Sequence, residues 1–578
     1  MPHNNSAHPL SALTQHIRLS KTFTLTSLVL CSSLVLAGCG NDNDNIFADA
    51  NNPPEKISEA TLIDAPVVTK TFTAAELKAA VATAGLSAAV DADPVCGITV
   101  QYINHTTTGL KGEATNATGA VILPNNDGAN NKDCQGERPI MLYAHGTTPV
   151  QDYNLAALND PENAAYETAL LIAANFAGQG DIVIAPNYPG YDKSELDYAP
   201  YVTLQQGQQM LDGLHAGKLA LEKLATNKAA PTNVKASDKL FITGYSQGGY
   251  VAMAAAKALD DKGQPATAVS PASGPYALTA FADSIMSGNV IFGGTIFLPM
   301  LTRSYDNEYN NLIEGVYADK YAETAPNLFP TNDNLVGLFF AGKIPTTQLF
   351  QSSPTGYDIL EALPAPTPKN AFGFSDKTYL FNTDFRAKYV QDMQSNPDGI
   401  YPTFTAPNGA VPVKSNLAVR KAFIDNDLRA YQPKSPMLLC GGNQDPSVTY
   451  DVNADAQARI WKSTAKQPFA LIDMDLSNQE ARSENDKSTY VTTLPPAVNK
   501  NVRAAAMAIQ EKFTSNLTTL LTNTYQVAYA EAIDKGKSVA EAQVAGQTAS
   551  YTEQLSSYHG MVAPYCLSAA TVFFDQYR

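Results

Sequence analysis

The sequence predicts an α/β protein, with a mostly parallel central sheet flanked by helices and interrupted by one large insertion. Three observations carry this reading. Short apolar runs bounded by turn residues alternate with helix-period stretches through the first half of the chain. A Gly-Tyr-Ser-Gln-Gly-Gly segment, 244–249, lies between such a run and a helix-like stretch. The alternation stops near residue 276 and resumes near residue 432. Alternating strands and helices build a sheet whose crossovers run through helices packed on its faces.

Taken in order, Thr73-Ala-Ala-Glu76 has capping-box spacing and opens a short helix to about Ala84, where Gly85 ends it. Residues 98–103 and 120–123 read as strands. The runs 140–144, 182–185, 240–243 and 266–269 are apolar on both faces, which suits strands inside a parallel sheet. Leu211, Leu214, Leu221 and Leu224 recur at helical spacing between the second and third of these. Residues 276–431 are rich in Phe, Tyr, Asn, Pro and Gly and show no βα rhythm. Runs 436–440 and 469–472 restore it. A long helix begins near Ala504, with Ile509, Phe513, Leu517, Leu521 and Tyr525 spaced by four.

The 578 residues leave room for about two to four average domains. With 44% hydrophobic and 16% charged residues, the chain can build a large core. Its net charge of −16, with basic residues scattered, excludes the clustered positive face that nucleic acid requires. The N-terminus reads as an export signal. Arg18 and Lys21 precede an apolar stretch, 23–37, too short to span a bilayer comfortably. That stretch runs into Leu36-Ala37-Gly38-Cys39, which resembles the bacterial lipobox. The resemblance implies a signal peptide over 1–38, a lipid on Cys39, and a chain exported to the cell envelope. The outer membrane, or release outside the cell, is the expected destination. An Asn/Asp-rich tract then reads as a flexible tether over 39–72.

Chemistry concentrates on Ser246. Gly244-Tyr245-Ser246-Gln247-Gly248 at a strand-to-helix junction forces the serine into a strained turn that small neighbours relieve. The hydroxyl then sits at a helix N-terminus, where developing negative charge is favoured. A serine nucleophile needs a base. Of seven histidines, His3, His8 and His16 leave with the signal, and His105, His145 and His215 precede the serine. Only His559 follows it, as the order nucleophile, acid, histidine requires. It is expected just before a C-terminal helix carrying Phe573 and Phe574. The acid is expected in the loop leaving strand 436–440, at Asp445, with Asp451, Asp455 and Asp473 as rivals. His145-Gly146-Thr147-Thr148 leaves the strand at 140–144. There Thr147 and Gln247 are expected to offer backbone N–H groups to an oxyanion, with His145 supporting the loop.

These motifs, with Ala185-Pro-Asn-Tyr-Pro-Gly-Tyr191 and Gly442-Asn-Gln-Asp-Pro446, resemble the α/β-hydrolase superfamily. The match is to secreted bacterial and fungal lipases and esterases that carry a cap domain, and it covers about 96–275 and 432–578. It implies an α/β-hydrolase core in two parts, 73–275 and 432–578, around a cap over 276–431. A second, helical insertion is expected at about 495–557. Asn187 stands where relatives often have Asp. The resemblance implies cleavage of carboxylic esters through an acyl-enzyme, on small-molecule or lipid ester substrates, without metal or organic cofactor. A serine peptidase on the same fold is the alternative, and a non-catalytic surface lipoprotein a more distant one. Segments 290–298 and 335–340 are candidates for an apolar acyl pocket. Outside the signal and Cys39, four cysteines remain, an even number for an oxidising compartment. Spacing alone does not choose among their three pairings. We expect Cys96–Cys134, joining the first strand region to the loop before 140–144, and Cys440–Cys566, tying the acid strand to the segment after His559.

Overall fold

The computed structural model describes residues 59–90, 92–126, 131–225, 233–310, 312, 314–398, 414–477 and 490–578. The expected signal peptide, Cys39 and most of the expected tether lie outside these residues. No helix of the described residues is long and apolar enough to cross a membrane.

One sheet organises the molecule. Its strands are β1 (Val67–Phe72), β2 (Gly97–Thr108), β3 (Ala114–Asn125), β4 (Gly136–Ala144), β5 (Ile182–Pro186), β6 (Val234–Tyr245) and β7 (Ala268–Ala272). Two two-residue strands, β8 (Phe350–Gln351) and β9 (Phe374–Ser375), pair apart from it. The main sheet resumes with β10 (Met437–Gly441), β11 (Phe469–Asp473) and β12 (Tyr490–Thr492), in the order β1-β2-β3-β5-β4-β6-β7-β10-β11-β12. The run from β5 to β11 is parallel throughout, and both flanks are antiparallel. Strands β5, β7, β10 and β11 are buried along their whole length, which explains their continuous apolar composition.

Helices cover both faces. α1 (Ala74–Thr83) carries the expected capping box, with Thr73 and Glu76 bonded reciprocally. α1 packs on α2 (Tyr166–Asn175). On the other side, α3 (Gln205–Ala225) packs on α4 (Gln247–Asp261). These two helices approach so closely that a Cβ on Gly207 would lie 2.5 Å from the Ala254 carbonyl oxygen. Between β7 and β10 stand α5 (Leu278–Met286), α6 (Gly294–Tyr309), α7 (Leu335–Phe340), α8 (Asp358–Glu361), α9 (Thr383–Ser395) and α10 (Ala418–Asp425). Buried Arg420 braces three of these helices, bonding both oxygens of Asp283 at 2.9 and 2.8 Å and Asp392 at 3.1 Å. Such bidentate pairs fix geometry as well as charge. After β10 come α11 (Ala456–Thr464) and two long helices packed on each other, α12 (Pro496–Asp534) and α13 (Val539–Asp575).

Two expectations are corrected. Residues 67–72, assigned to the tether, form β1, an edge strand antiparallel to β2 with an irregular register between Val68 and Lys70. Its burial is too broken for the sequence to show period-two alternation, since only Phe72 is fully buried. The helical segment expected to end near 557 runs on to Asp575, and His559 lies inside α13 rather than ahead of a separate helix. Gly560 and Pro564 suggest a break, because an interior proline costs a helix about 3 kcal/mol. Burial of Tyr558, Met561, Val562, Tyr565, Leu567, Phe573 and Phe574 along this stretch outweighs that cost.

The cysteines pair as Cys96–Cys134 and Cys440–Cys566, bridges suited to an oxidising compartment. The second closes a loop of 126 residues that contains α12 and most of α13. Chain-entropy reasoning assigns a bridge of that span about 4–5 kcal/mol. The Cys440→Ala/Cys566→Ala double variant is therefore expected to unfold at clearly lower urea concentration than the parent. An unchanged midpoint would show that the bridge contributes nothing to stability.

Candidate active site

Four loops meet at the carboxyl ends of the parallel strands. Register sets their alignment, since Ala144 pairs with Gly244, Tyr245 with Ala272, and Cys440 with Ala272. The residues that follow these strand ends therefore share one edge of the sheet, where open α/β sheets place their ligands.

Ser246 occupies the one-residue turn between β6 and α4, at φ +60° and ψ −124°. That conformation is strained for a residue with a Cβ, and strain of this kind is held in place by its surroundings. Here the surroundings are backbone. The Ser246 N–H donates to the Ala272 carbonyl at 3.0 Å. A Cβ on Gly248 would fall 2.1 Å from the Ala144 oxygen, and one on Gly244 would fall 2.3 Å from the Gly248 oxygen. Both glycines are thus required for β4, β6 and α4 to approach each other around the serine.

Asp445 and His559 come together from opposite directions. Asp445 lies in the loop leaving β10, where its Oδ1 accepts the backbone N–H groups of Ser447 and Val448 at 2.9 and 3.0 Å. Its Oδ2 lies 2.6 Å from Nδ1 of His559. The aspartate side chain is buried, and the histidine is 16% exposed. The rival acids are engaged elsewhere: Asp451 accepts the Val452 N–H, Asp455 pairs with Arg459, and Asp473 accepts from Asn443. The His559 ring packs against the Tyr245 ring with centroids 5.0 Å apart, and Tyr245 donates its phenol to the His559 carbonyl. Nε2 of His559 is buried without a hydrogen-bond partner among the described residues.

The loop after β4 passes alongside. A Cβ on Gly146 would lie 3.3 Å from the Tyr245 oxygen and 3.9 Å from Cβ of Ser246. Three tyrosines fix this loop. Tyr188 donates to the His145 carbonyl at 2.8 Å, Tyr191 to the Thr148 carbonyl at 2.9 Å, and Tyr201 lies 3.1 Å from Oγ1 of Thr147. His145 itself is fully buried and stacked 3.9 Å above Tyr188, and burial pushes its pKa down to about 4. It supports the loop as a neutral ring. Gln247 is the first residue of α4, so its N–H belongs to the turn that has no intrahelical acceptor. Asn187 also finds its reason here. It accepts from Leu155 N–H at 2.9 Å and donates to Oγ1 of Thr118 at 2.8 Å, and a carboxylate cannot donate.

Ser246 and Gln247 line a largely apolar cavity. Leu278, Phe281, Ile285 and Met286 of α5 form part of the wall, with Phe297, Leu298 and Leu301 of α6. Phe381, Phe385, Val419 and Phe423 complete much of the rest. Of the two segments expected to line a pocket, 290–298 contributes Ile291, Phe297 and Leu298. Segment 335–340 does not line it, and Phe340 of α7 is 89% exposed. Among the described residues no cluster of side chains suits a metal ion. The sequence pointed to Ser246, Asp445, His559 and the Thr147 loop, but not to Tyr245 or the three loop tyrosines. Tyr188 and Tyr191 belong to a quoted motif whose role becomes visible only through these contacts.

No family model matches the chain, and no curated protein matches it. Solved structures do. The ligand-bound form of LipA, a rice cell wall degrading esterase from Xanthomonas oryzae, superposes with a TM-score of 0.53 at 21% identity. That match covers 74% of this chain and 94% of LipA. A candidate hydrolase from Legionella pneumophila aligns at 20% identity over 70% of this chain and 89% of its own, with a TM-score of 0.48. Lipase A from Candida antarctica in its closed state aligns at 14% identity over 71% and 75%, with a TM-score of 0.39. With the parallel sheet, its flanking helices and the serine turn, the likeness to LipA shows that this chain has the α/β-hydrolase fold.

Proposed function

We propose that this protein hydrolyses carboxylic esters, as a lipase or carboxylesterase, through an acyl-enzyme on Ser246. One observation carries the reading: a serine held at φ +60° on a strand–helix turn opens onto an apolar cavity beside a buried carboxylate–histidine pair. In the proposed reaction, Nε2 of His559 takes the Ser246 proton as Oγ attacks the ester carbonyl. Asp445 holds the ring with its proton on Nδ1 and stabilises the imidazolium that forms. The N–H groups of Thr147 and Gln247 receive the oxyanion. His559 then gives the proton to the departing alkoxide, and water attacking the acyl-enzyme reverses the roles. The apolar walls suit a substrate with a hydrocarbon acyl group.

The purified protein is expected to hydrolyse chromogenic fatty-acyl esters and to leave peptide anilides intact. Chelator treatment is expected to leave the rate unchanged, because no step draws on a metal. An organophosphonate is expected to modify Ser246 alone. Anilide cleavage without ester cleavage would replace this reading with a peptidase, and labelling elsewhere would overturn the mechanism.

We also propose that Cys39 carries a lipid that anchors the enzyme to the bacterial envelope. The lipobox-like Leu36–Cys39 sequence supports this, and so do two disulfides suited to an exported chain. Cys39→Ala is expected to abolish incorporation of labelled palmitate and to move the protein to the soluble fraction. Palmitate retained by that variant would rule the anchor out.

A further inference from the structure

A second buried carboxylate stands behind the first. Asp475 lies just past β11 and is wholly buried, yet no cation among the described residues pairs with it. Neutral donors hold it instead. Ser477 approaches Oδ1 through its N–H, at 2.8 Å, and through its hydroxyl. Oδ2 accepts the Tyr558 phenol at 2.8 Å and the Gln444 side-chain amide at 2.7 Å. The Gln444 backbone N–H closes the triangle by donating to the Tyr558 oxygen at 3.2 Å.

The sequence positions of these partners give the triangle its significance. Gln444 immediately precedes Asp445, and Tyr558 immediately precedes His559. The residue before each member of the carboxylate–histidine pair is thus bonded to the same oxygen, although 114 residues separate them in the chain. The loop from Asp473 to Ser477 also grips Asn443, which donates to the Asp475 carbonyl at 2.8 Å and to Oδ2 of Asp473 at 2.9 Å. Gly442 leaves room for this meeting, since a Cβ there would lie 2.6 Å from the Tyr558 oxygen. Tyr558 is further fixed edge-on against Phe513 of α12, with centroids 5.7 Å apart. A buried carboxyl group is costly when its donors are lost, and here each oxygen of Asp475 meets two of them.

We propose that Asp475, acting through Tyr558 and Gln444, is a positioning residue that sets the distance and angle between Asp445 and His559. The proposal rests on the catalytic reading of that pair for its kinetic consequences only. Asp475→Asn turns an amide N–H₂ or a weaker oxygen toward two donors that need an acceptor. Tyr558→Phe deletes the bridging hydroxyl and keeps the ring packed on Phe513, so it serves where the first variant does not fold. In both, kcat is expected to fall on the order of 10- to 100-fold, the penalty of a misplacement of about 1 Å, with KM within about threefold of the parent.

The direct readout is the ring ¹⁵N spectrum of His559 in full-length, histidine-labelled protein, assigned by the signal lost in His559→Gln. The parent is expected to show a single tautomer with the proton on Nδ1, and folded Asp475→Asn and Tyr558→Phe to show a mixture. Folded variants that keep the parent spectrum and kcat would overturn the proposal. So would a rise in KM alone with the ring signal unchanged. If the parent hydrolyses no ester, the functional reading fails, and the ring spectrum still decides whether Asp475 positions the pair.

Discussion

Ser246→Ala is expected to lower ester turnover by on the order of 10⁴- to 10⁶-fold, and His559→Ala by a similar factor. Nucleophile and base act as a unit, so losing either removes the acyl-enzyme route, and the double variant should be no worse than the singles. The fold should survive both changes. The Ser246 side chain faces the cavity, and its turn is held by the backbone contacts of Gly244, Gly248 and Ala272. Alanine at a position of φ +60° retains the strain of the serine, so the melting temperature of Ser246→Ala should stay within a few degrees, whereas His559→Ala leaves buried Asp445 without its partner and should melt lower. Residual turnover over the uncatalysed rate is expected from the oxyanion donors and substrate binding alone. The measurement is a steady-state assay on the two single variants and the double, with circular dichroism to confirm folding. Effects that multiply in the double variant would show two independent contributions and break the proposed mechanism.

How far the sequence reaches differs from element to element. The central strands are legible because both their faces are buried, which leaves an apolar run that needs no periodicity to be noticed. Ser246 is legible because glycines at 244 and 248 answer a steric demand that the structure states in ångströms. His559 is reached by elimination, and its helical setting is not, since Gly560 and Pro564 argue locally for a break that buried packing overrides. β1 is hidden by its exposed edge, α7, α8 and α10 by their shortness, and α5 and α6 by cavity walls on faces that would otherwise be polar. Tyr245, Tyr188 and Asp475 mark a different boundary. Each acts through a hydroxyl or carboxylate whose partner lies far along the chain, and no local pattern encodes such a pairing.

Asp445→Asn tests the least visible part of the proposed mechanism, because it changes one atom and keeps the volume. Oδ1 of Asp445 accepts two backbone N–H groups, from Ser447 and Val448, so the asparagine oxygen is expected to stay on that side. The amide N–H₂ must then face His559, where Oδ2 now lies 2.6 Å from Nδ1. A donor there selects the tautomer with its proton on Nε2, the nitrogen that has to receive the Ser246 proton. Turnover should fall by about 10⁴-fold, as expected when a base is held in the wrong tautomer. KM should change little, since Asp445 lies outside the apolar cavity wall. Asp445→Ala removes the donor along with the acceptor and leaves the ring free to choose its tautomer. It is therefore expected to retain more activity than Asp445→Asn while being less stable, having left two backbone N–H groups without their acceptor. The two variants, compared by kcat and by urea midpoint, separate orientation of the base from support of the loop. Near-normal turnover in Asp445→Asn would assign the acid to another residue, and equal losses in both variants would remove the tautomer from the explanation.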